Sequence, residues 1–195
     1  MPTPNLKALL QSIDALPPKH FQKLIGIDGL GASGKTTVAN QLAELHSGVT
    51  IIHTDEFYKP KHGRSPVLGV VPGQVISPDF DWDRLDAQVF QPILRGLLVK
   101  YQNYDWRADT WGDWIEIPPG SWIIIVGVYA LQSRFFPYYD YTIWCELSRE
   151  ERIRRMTERE GRGLAEIWQQ KWLPREENYL AVDAPDKRAS IVLTS

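Results

Sequence analysis

Apolar residues at Leu6, Leu9, Leu10, Ile13 and Leu16 recur at helical spacing, and Pro17-Pro18 closes the segment. The pattern predicts an amphipathic helix ahead of the main fold. Lys23 to Asp28 reads as a short buried strand that runs into a glycine-rich turn. Thr36 to His46 then carries good helix formers, Gly48 is a C-terminal stop, and Val49 to Thr54 is a second β-rich run. From Lys59 to Pro78 the chain holds Pro60, Gly63, Pro66, Gly69, Pro72, Gly73 and Pro78, a density that excludes regular elements and predicts a long mobile loop. Loops of that length in compact domains are usually functional or disordered, and this one follows a strand end directly. Asp81 is placed to cap a helix from Trp82 towards Leu98, with Pro92 kinking or breaking it. Tyr101 to Glu116 is aromatic and irregular. Trp122 to Val126, bounded by Pro118-Pro119-Gly120 and Gly127, is a continuous apolar run of the kind buried on both faces of a parallel sheet, and Tyr141 to Leu147 is another. Ser148 opens a charged helix through about Glu160, a further helix follows Gly163, and Ile191 to Leu193 reads as a last strand. Strands alternating with helices at this spacing predict an α/β fold, a parallel sheet with helices on both faces in three layers.

Composition narrows the function classes. A length of 195 residues fits one domain better than two, and 43% hydrophobic residues are enough for a core without disulfide or metal staples. Twenty-two basic against 24 acidic residues leave a net charge of −2. That balance argues against a nucleic-acid coat or a polybasic membrane binder, so neither nucleic acid nor membrane is an expected partner. The lone Cys145 closes no intrachain disulfide, and with no nearby histidine it reads as an unreactive strand residue. A reducing cytoplasm is the simplest compartment. Met1 to Asn5 lacks the charged-then-apolar pattern of a secretory signal, and the apolar run Trp122 to Leu131 is too short to span a bilayer.

Chemistry enters at Gly29-Leu30-Gly31-Ala32-Ser33-Gly34-Lys35-Thr36, which matches the pattern G-x-x-x-x-G-K-[ST] between a predicted strand and a predicted helix. Glycines let the backbone wrap a di- or triphosphate and aim its N–H groups inward, while the following helix presents its positive end to the anion. Lys35 would reach the β- and γ-phosphates and Thr36 would offer its hydroxyl to Mg²⁺, so ATP and Mg²⁺ are the expected cofactors. A simple strand-to-helix turn needs neither the lysine nor the threonine at those offsets. Asp55 is predicted at the carboxyl end of the second strand, facing the crevice where open α/β sheets bind ligands, and a carboxylate there can accept a hydroxyl proton. Phe57 and Tyr58 either stack against an acceptor base or close the pocket. Asp105, flanked by Tyr104 and Trp106, fits a polar contact in an aromatic-lined pocket, although 8 Trp and 8 Tyr also make core packing natural. Arg107 and Asp109 are weaker candidates, and His53 reads as a core or rim residue. Arg152, Arg154, Arg155, Arg159 and Arg162 crowd one helix and its exit, where arginines stabilise charge on a moving phosphoryl group. Interleaved Glu150, Glu151, Glu158 and Glu160 also allow a solvated face of ion pairs. Arg159 is the first candidate, then Arg155 or Arg162. Trp168 and Trp172 read as core or lid packing.

Taken together, these segments resemble the uridine kinase and phosphoribulokinase group of P-loop kinases from about Lys23 to Leu193. Ile27-Asp28-Gly29 with Ser33-Gly34-Lys35-Thr36-Thr37 is similar to the group's first strand and loop, and Thr54-Asp55-Glu56-Phe57-Tyr58 to its Asp-x-Phe-Tyr segment, whose aspartate activates the acceptor hydroxyl. Tyr104-Asp105-Trp106 resembles the segment that helps hold the nucleoside. Glu158-Arg159, then Gly161-Arg162 and Leu164, resembles the Glu-Arg-Gly-Arg lid, with Glu160 as one extra residue. The resemblance implies a P-loop NTPase sandwich of one domain over residues 1–195, with a helical extension over 1–20, an acceptor-side loop over 59–80 and a nucleoside-kinase-like lid over 150–164. It implies ATP-dependent phosphorylation of a small nucleoside-like acceptor such as uridine or cytidine. Gly29, Gly31, Ala32, Ser33, Gly34, Lys35, Thr36, Thr37, Arg155 and Arg162 would bind ATP, Lys35, Asp55 and Arg159 would be catalytic, and Asp55, Phe57, Tyr58, Tyr104 and Asp105 would hold the acceptor. Pantothenate, a sugar phosphate or another riboside are other acceptors of this class, and a homo-oligomer is left open. The group usually ends its third strand with Glu-Gly, and that glutamate helps organise the metal; here Val126-Gly127 stands in its place. Either Asp55 and phosphate oxygens carry the metal alone, or turnover is weakened, or the chain is a nucleotide-binding regulatory protein.

Overall fold

The apolar runs assemble into one parallel sheet. In the computed structural model, which describes residues 6–120 and 122–194, β1 (Leu24–Asp28) lies at its centre. β5 (Trp122–Val126) and β6 (Tyr141–Glu146) flank it, and β2 (Val49–His53) and β7 (Ile191–Thr194) form the edges, giving the order β2-β5-β1-β6-β7. Register pairs Ile27 with Val126 on one side and with Ile143 on the other. Every residue of β1 is buried. Alternate side chains of the inner strands then feed two different cores. Ile25, Ile27, Ile124, Val126 and Ile143 pack against Leu9 and Ile13 of α1 (Leu6–Asp14) and Ala39 and Leu42 of α2 (Lys35–Leu45). Leu24, Ile123 and Ile125 face the opposite layer, with Leu85, Val89, Phe90 and Ile93. Helices therefore cover both faces, and the fold is the expected three-layer α/β arrangement. Residues 1–5 of the expected N-terminal extension lie outside the described residues. Each fully buried Ile, Leu or Phe contributes roughly 1.5–3 kcal/mol relative to exposure, so the inner strands fix the loops at their carboxyl ends.

Three segments depart from the sequence reading. Tyr101 to Glu116 is not irregular: β3 (Val99–Asp105) and β4 (Thr110–Ile117) form an antiparallel hairpin with a shift in register between Gln102 and Tyr104. One face of that hairpin buries Val99, Tyr101 and Tyr104, while Trp111 and Trp114 stay in solvent, which hides the usual alternation. Next, the helix capped by Asp81, whose Oδ1 accepts from Arg84 N at 3.0 Å, is continuous across Pro92. Between α3 (Trp82–Leu85) and α4 (Gln91–Leu94) the chain takes a π turn over Asp86–Phe90, and Gln91 N donates to Asp86 O. The wider turn accommodates a residue with no N–H to give, so the rod neither breaks nor reaches Leu98. Finally, the proline- and glycine-rich stretch is tethered. Arg175 of α6 (Leu173–Asp183) donates to Gly69 O at 2.7 Å and Val67 O at 2.5 Å, and pairs with buried Asp79 at 2.9 Å. α6 had no counterpart in the sequence pattern.

α5 (Arg149–Lys171) is the predicted charged helix, opened by Ser148, whose Oγ accepts from Glu151 N at 3.3 Å. Its backbone leaves helical geometry at Gly161, φ 79° and ψ 164°, and resumes afterwards. Left-handed φ of that kind costs a glycine little, so the helix has a built-in break there.

Candidate active site

The turn from β1 to α2 is the cradle the pattern predicts. Gly34 takes φ 92° as the residue before α2, and Ser33 N closes the loop onto Leu30 O at 3.1 Å. Lys35 folds its ammonium over the loop, 3.3 Å from Leu30 O. Ser33 Oγ is buried without a hydrogen-bond partner among the described residues, an unspent hydroxyl within the loop. Such an arrangement, at the start of an eleven-residue helix, fits a phosphate group.

Beside it opens a cleft outside the carboxyl ends of β1, β2 and β5, with about 890 Å³ of empty space counted to its open side. A crevice at this place is where open α/β sheets bind ligands. Of the expected residues, the cleft brings together Gly31, Ala32, Lys35, Thr36, Asp55, Tyr58 and Arg159. Asp55 sits in a single 3₁₀ turn (Thr54–Phe57) that follows β2, and its side chain is exposed with no hydrogen-bond partner among the described residues. Val126 closes β5 in the same cleft, with His53 opposite it in register. A Cβ at Gly127 would lie 1.7 Å from Thr54 Oγ1, so the ends of β5 and β2 approach this closely only because residue 127 is glycine.

Ser33, Gly34, Thr37 and Arg155 line a second hollow on the outer side of the loop, with Leu6, Cys145 and Leu193. Arg155 is held there by Glu151 at 2.8 Å. Arg162, beyond the Gly161 break, lines neither hollow, and Gly29 lies beneath the loop with its N–H on Asp28 Oδ1 at 2.6 Å. Three residues expected against the acceptor are placed elsewhere. Phe57 is fully buried under the Arg84 guanidinium, 4.4 Å from its ring centre. Tyr104 lies buried behind the wall, its hydroxyl donating to Asp109. Asp105 spends its carboxylate on the hairpin turn, accepting from Arg107 N at 2.8 Å and Ala108 N at 3.0 Å. Tyr58 does face the cleft, and Phe80, Trp106, Tyr129, Trp168 and Trp172 complete an aromatic wall. Burial pushes the Cys145 thiol up to about 12, in keeping with an unreactive strand residue.

Two buried carboxylates besides Asp79 went unmarked in the sequence. Glu176 is 5% exposed and lines the cleft; its Oε2 accepts from Gly31 N at 2.6 Å and its Oε1 from Trp168 Nε1 at 3.0 Å. Burial raises its pKa, and the Gly31 amide, the Lys35 charge and the Trp168 indole only partly oppose this. In sequence it is one of two adjacent glutamates on a polar helix, with nothing to set it apart. Asp28, at the end of β1, accepts from Gly29 N, from Leu131 N at 2.9 Å and from the Tyr179 hydroxyl at 2.8 Å. Complete burial still pushes its pKa from 3.8 to about 6. Because the folded-state value lies above the unfolded one, the native state holds the extra proton between these limits. Its stabilising contribution is complete below the lower limit and is lost as pH rises through the upper one. A shift of this size corresponds to about 3 kcal/mol. Urea midpoints of wild type and Asp28→Asn measured from pH 4 to 7 should therefore diverge, wild type falling relative to the variant as pH rises; parallel curves would show that Asp28 stays ionised throughout.

With this geometry in place, the comparisons with known proteins bear on the assignment. No protein-family model matches the chain. A curated uridine kinase of Brevibacillus brevis is 29% identical over 152 residues, covering 74% of this chain and 71% of its own. Among solved structures, a possible uridine kinase from Bacillus stearothermophilus superposes with a TM-score of 0.73 at 23% identity, covering 96% of each chain. The chain has the P-loop kinase fold and is similar to uridine kinases. A putative fructose transport system kinase from Silicibacter sp. TM1040 is nearly as similar in fold, with a TM-score of 0.71, 21% identity and 98% of each chain covered. Among the described residues no helix is long and apolar enough to cross a membrane.

Proposed function

We propose that this P-loop kinase transfers the γ-phosphoryl group of ATP to a hydroxyl of a small metabolite, a nucleoside such as uridine or cytidine. The observation that carries the reading is the convergence of Lys35, Thr36 and an unpartnered Asp55 on one cleft walled by aromatic rings. The loop amides and Lys35 hold the polyphosphate, and the aromatic wall presents flat apolar faces to the acceptor. Asp55 lies where it can accept the acceptor's hydroxyl proton as oxygen attacks phosphorus. Arg159 lines the same space, where it can offset charge on the moving group. Among the described residues no three His, Cys, Asp or Glu side chains gather as a metal cage. The Thr36 hydroxyl nonetheless fits Mg²⁺, which takes most of its ligands from phosphates and water. When bound, Mg²⁺ would neutralise phosphate charge.

The test is direct. With [γ-³²P]ATP and Mg²⁺, label should pass to uridine or cytidine in preference to pantothenate, fructose and other sugars or sugar phosphates. Transfer to a sugar alone would keep the kinase and replace the acceptor. Tight ATP binding with no transfer to any of them would favour a second reading, a nucleotide-binding regulatory protein, whose motive is Val126 in place of an acidic side chain.

A further inference from the structure

Glu160, the extra residue of the lid, is the last position before the Gly161 break. The Glu158 and Arg159 side chains are both 60% exposed, but the Glu160 carboxylate is only 13% exposed. Two guanidinium groups converge on it. Arg159 Nε donates to Oε1 at 2.9 Å, and Arg107 Nη2 donates to Oε1 at 2.9 Å and Oε2 at 3.0 Å. Arg107 comes from the turn of the β3–β4 hairpin, 53 residues away, and that turn is stiffened by the Asp105 carboxylate. The Arg107 guanidinium lies 4.6 Å above the Trp106 ring, and Trp106 packs in turn on Tyr58 and Trp172. Trp106, Arg107, Arg159 and Glu160 all line the cleft that holds Lys35 and Asp55. A surface ion pair such as Arg154–Glu158, with both side chains more than half exposed, has little consequence. The Glu160 carboxylate differs in being mostly withdrawn from water and shared between the lid and the opposite wall.

We propose that Glu160 is a positioning residue, which aims Arg159 into the cleft and, through Arg107, ties closure of the lid to the hairpin wall beside the acceptor. Its catalytic part rests on the phosphotransferase reading; the tie itself does not. One carboxylate between two guanidinium groups leaves a net positive charge at the mouth, so the latch closes without cancelling the attraction for phosphate. It also accounts for the hairpin turn, which supplies the lid's anchor.

Two measurements on the full-length protein decide it. Without nucleotide or acceptor, tryptic cleavage after Arg162, read by mass spectrometry, should run several-fold faster in Arg107→Ala and in Glu160→Gln, and no faster in the double variant than in the faster single one, at unchanged urea midpoint. Arg162 is the informative bond because neither substitution adjoins it. In the transfer assay, Glu160→Gln should lower kcat roughly ten-fold while KM for ATP changes little, since a misaimed Arg159 acts on the transition state. Cleavage at the wild-type rate in both single variants overturns the latch, and wild-type kcat in Glu160→Gln overturns the positioning of Arg159. If the wild-type protein transfers phosphate to none of the acceptors tested, the functional reading falls, while the cleavage rates still decide the latch.

Discussion

Asp55→Asn should bind ATP as tightly as the wild-type protein and transfer phosphate about 10³-fold more slowly, the usual range for loss of a general base being roughly 10²–10⁴. The structure makes this a clean experiment. The Asp55 side chain is exposed and accepts no hydrogen bond from the protein, so an amide of the same shape disturbs nothing in the fold. Neither does it touch the loop amides or Lys35 that would grip the polyphosphate. Calorimetry of ATP binding beside steady-state transfer separates the two roles. A kcat within two-fold of wild type would mean that the acceptor proton leaves by another route, His53 being the next titratable group on the cleft's rim. A matching loss of ATP affinity would instead place Asp55 on the nucleotide.

The second large effect is on stability. Arg175 is 3% exposed and donates to Gly69 O, Val67 O, Ser77 Oγ and Asp79 Oδ2, so one guanidinium holds most of the loop between Val67 and Asp79. Asp79 is completely buried. Arg175→Ala removes its closest ion-pair partner and leaves it Lys171, at 3.2 Å, and the Ser65 amide, at 2.8 Å. Breaking a buried pair from one side typically costs 3–5 kcal/mol, and the remaining lysine puts the expected loss near the low end, about 3 kcal/mol. Urea unfolding measures it. The freed loop leads straight into Phe80, whose ring lies 4.0 Å from that of Tyr58, so KM for the acceptor should rise as well. A midpoint shift equivalent to less than about 1 kcal/mol would mean that Lys171, the Ser65 amide and water satisfy Asp79 without Arg175.

Glu176 in the cleft, and Arg175 with Asp79 behind the loop that leads to it, show why part of the site and its support was invisible in the sequence. Each is a charged residue in a polar-looking stretch, and such residues are normally solvated. Their burial depends on partners about 100 or more positions distant: Asp79 and the loop carbonyls for Arg175, the Gly31 amide for Glu176. The hairpin was hidden for a related reason. It buries one face on the core and leaves Trp111 and Trp114 in solvent, so its apolar residues do not mark its inner side. Phe57, Tyr104 and Asp105 illustrate the converse: residue type and position suggested acceptor contacts, yet the core, the wall's rear and the turn claimed them.

Features under short-range control were legible along the chain. The β1–α2 turn follows from glycines whose backbone freedom is local, and Gly34 at φ 92° needs no distant help. The inner strands β1, β5 and β6 follow from apolar runs that have nowhere to go but a two-sided core, and the caps at Asp81 and Ser148 from side chains that reach their own backbone. Tertiary structure alone decided which carboxylates are withdrawn from water, which arginines face the cleft and where the lid is fastened. Burial of a charge is favourable only where a remote partner compensates its lost hydration, and no local pattern encodes that partner's address.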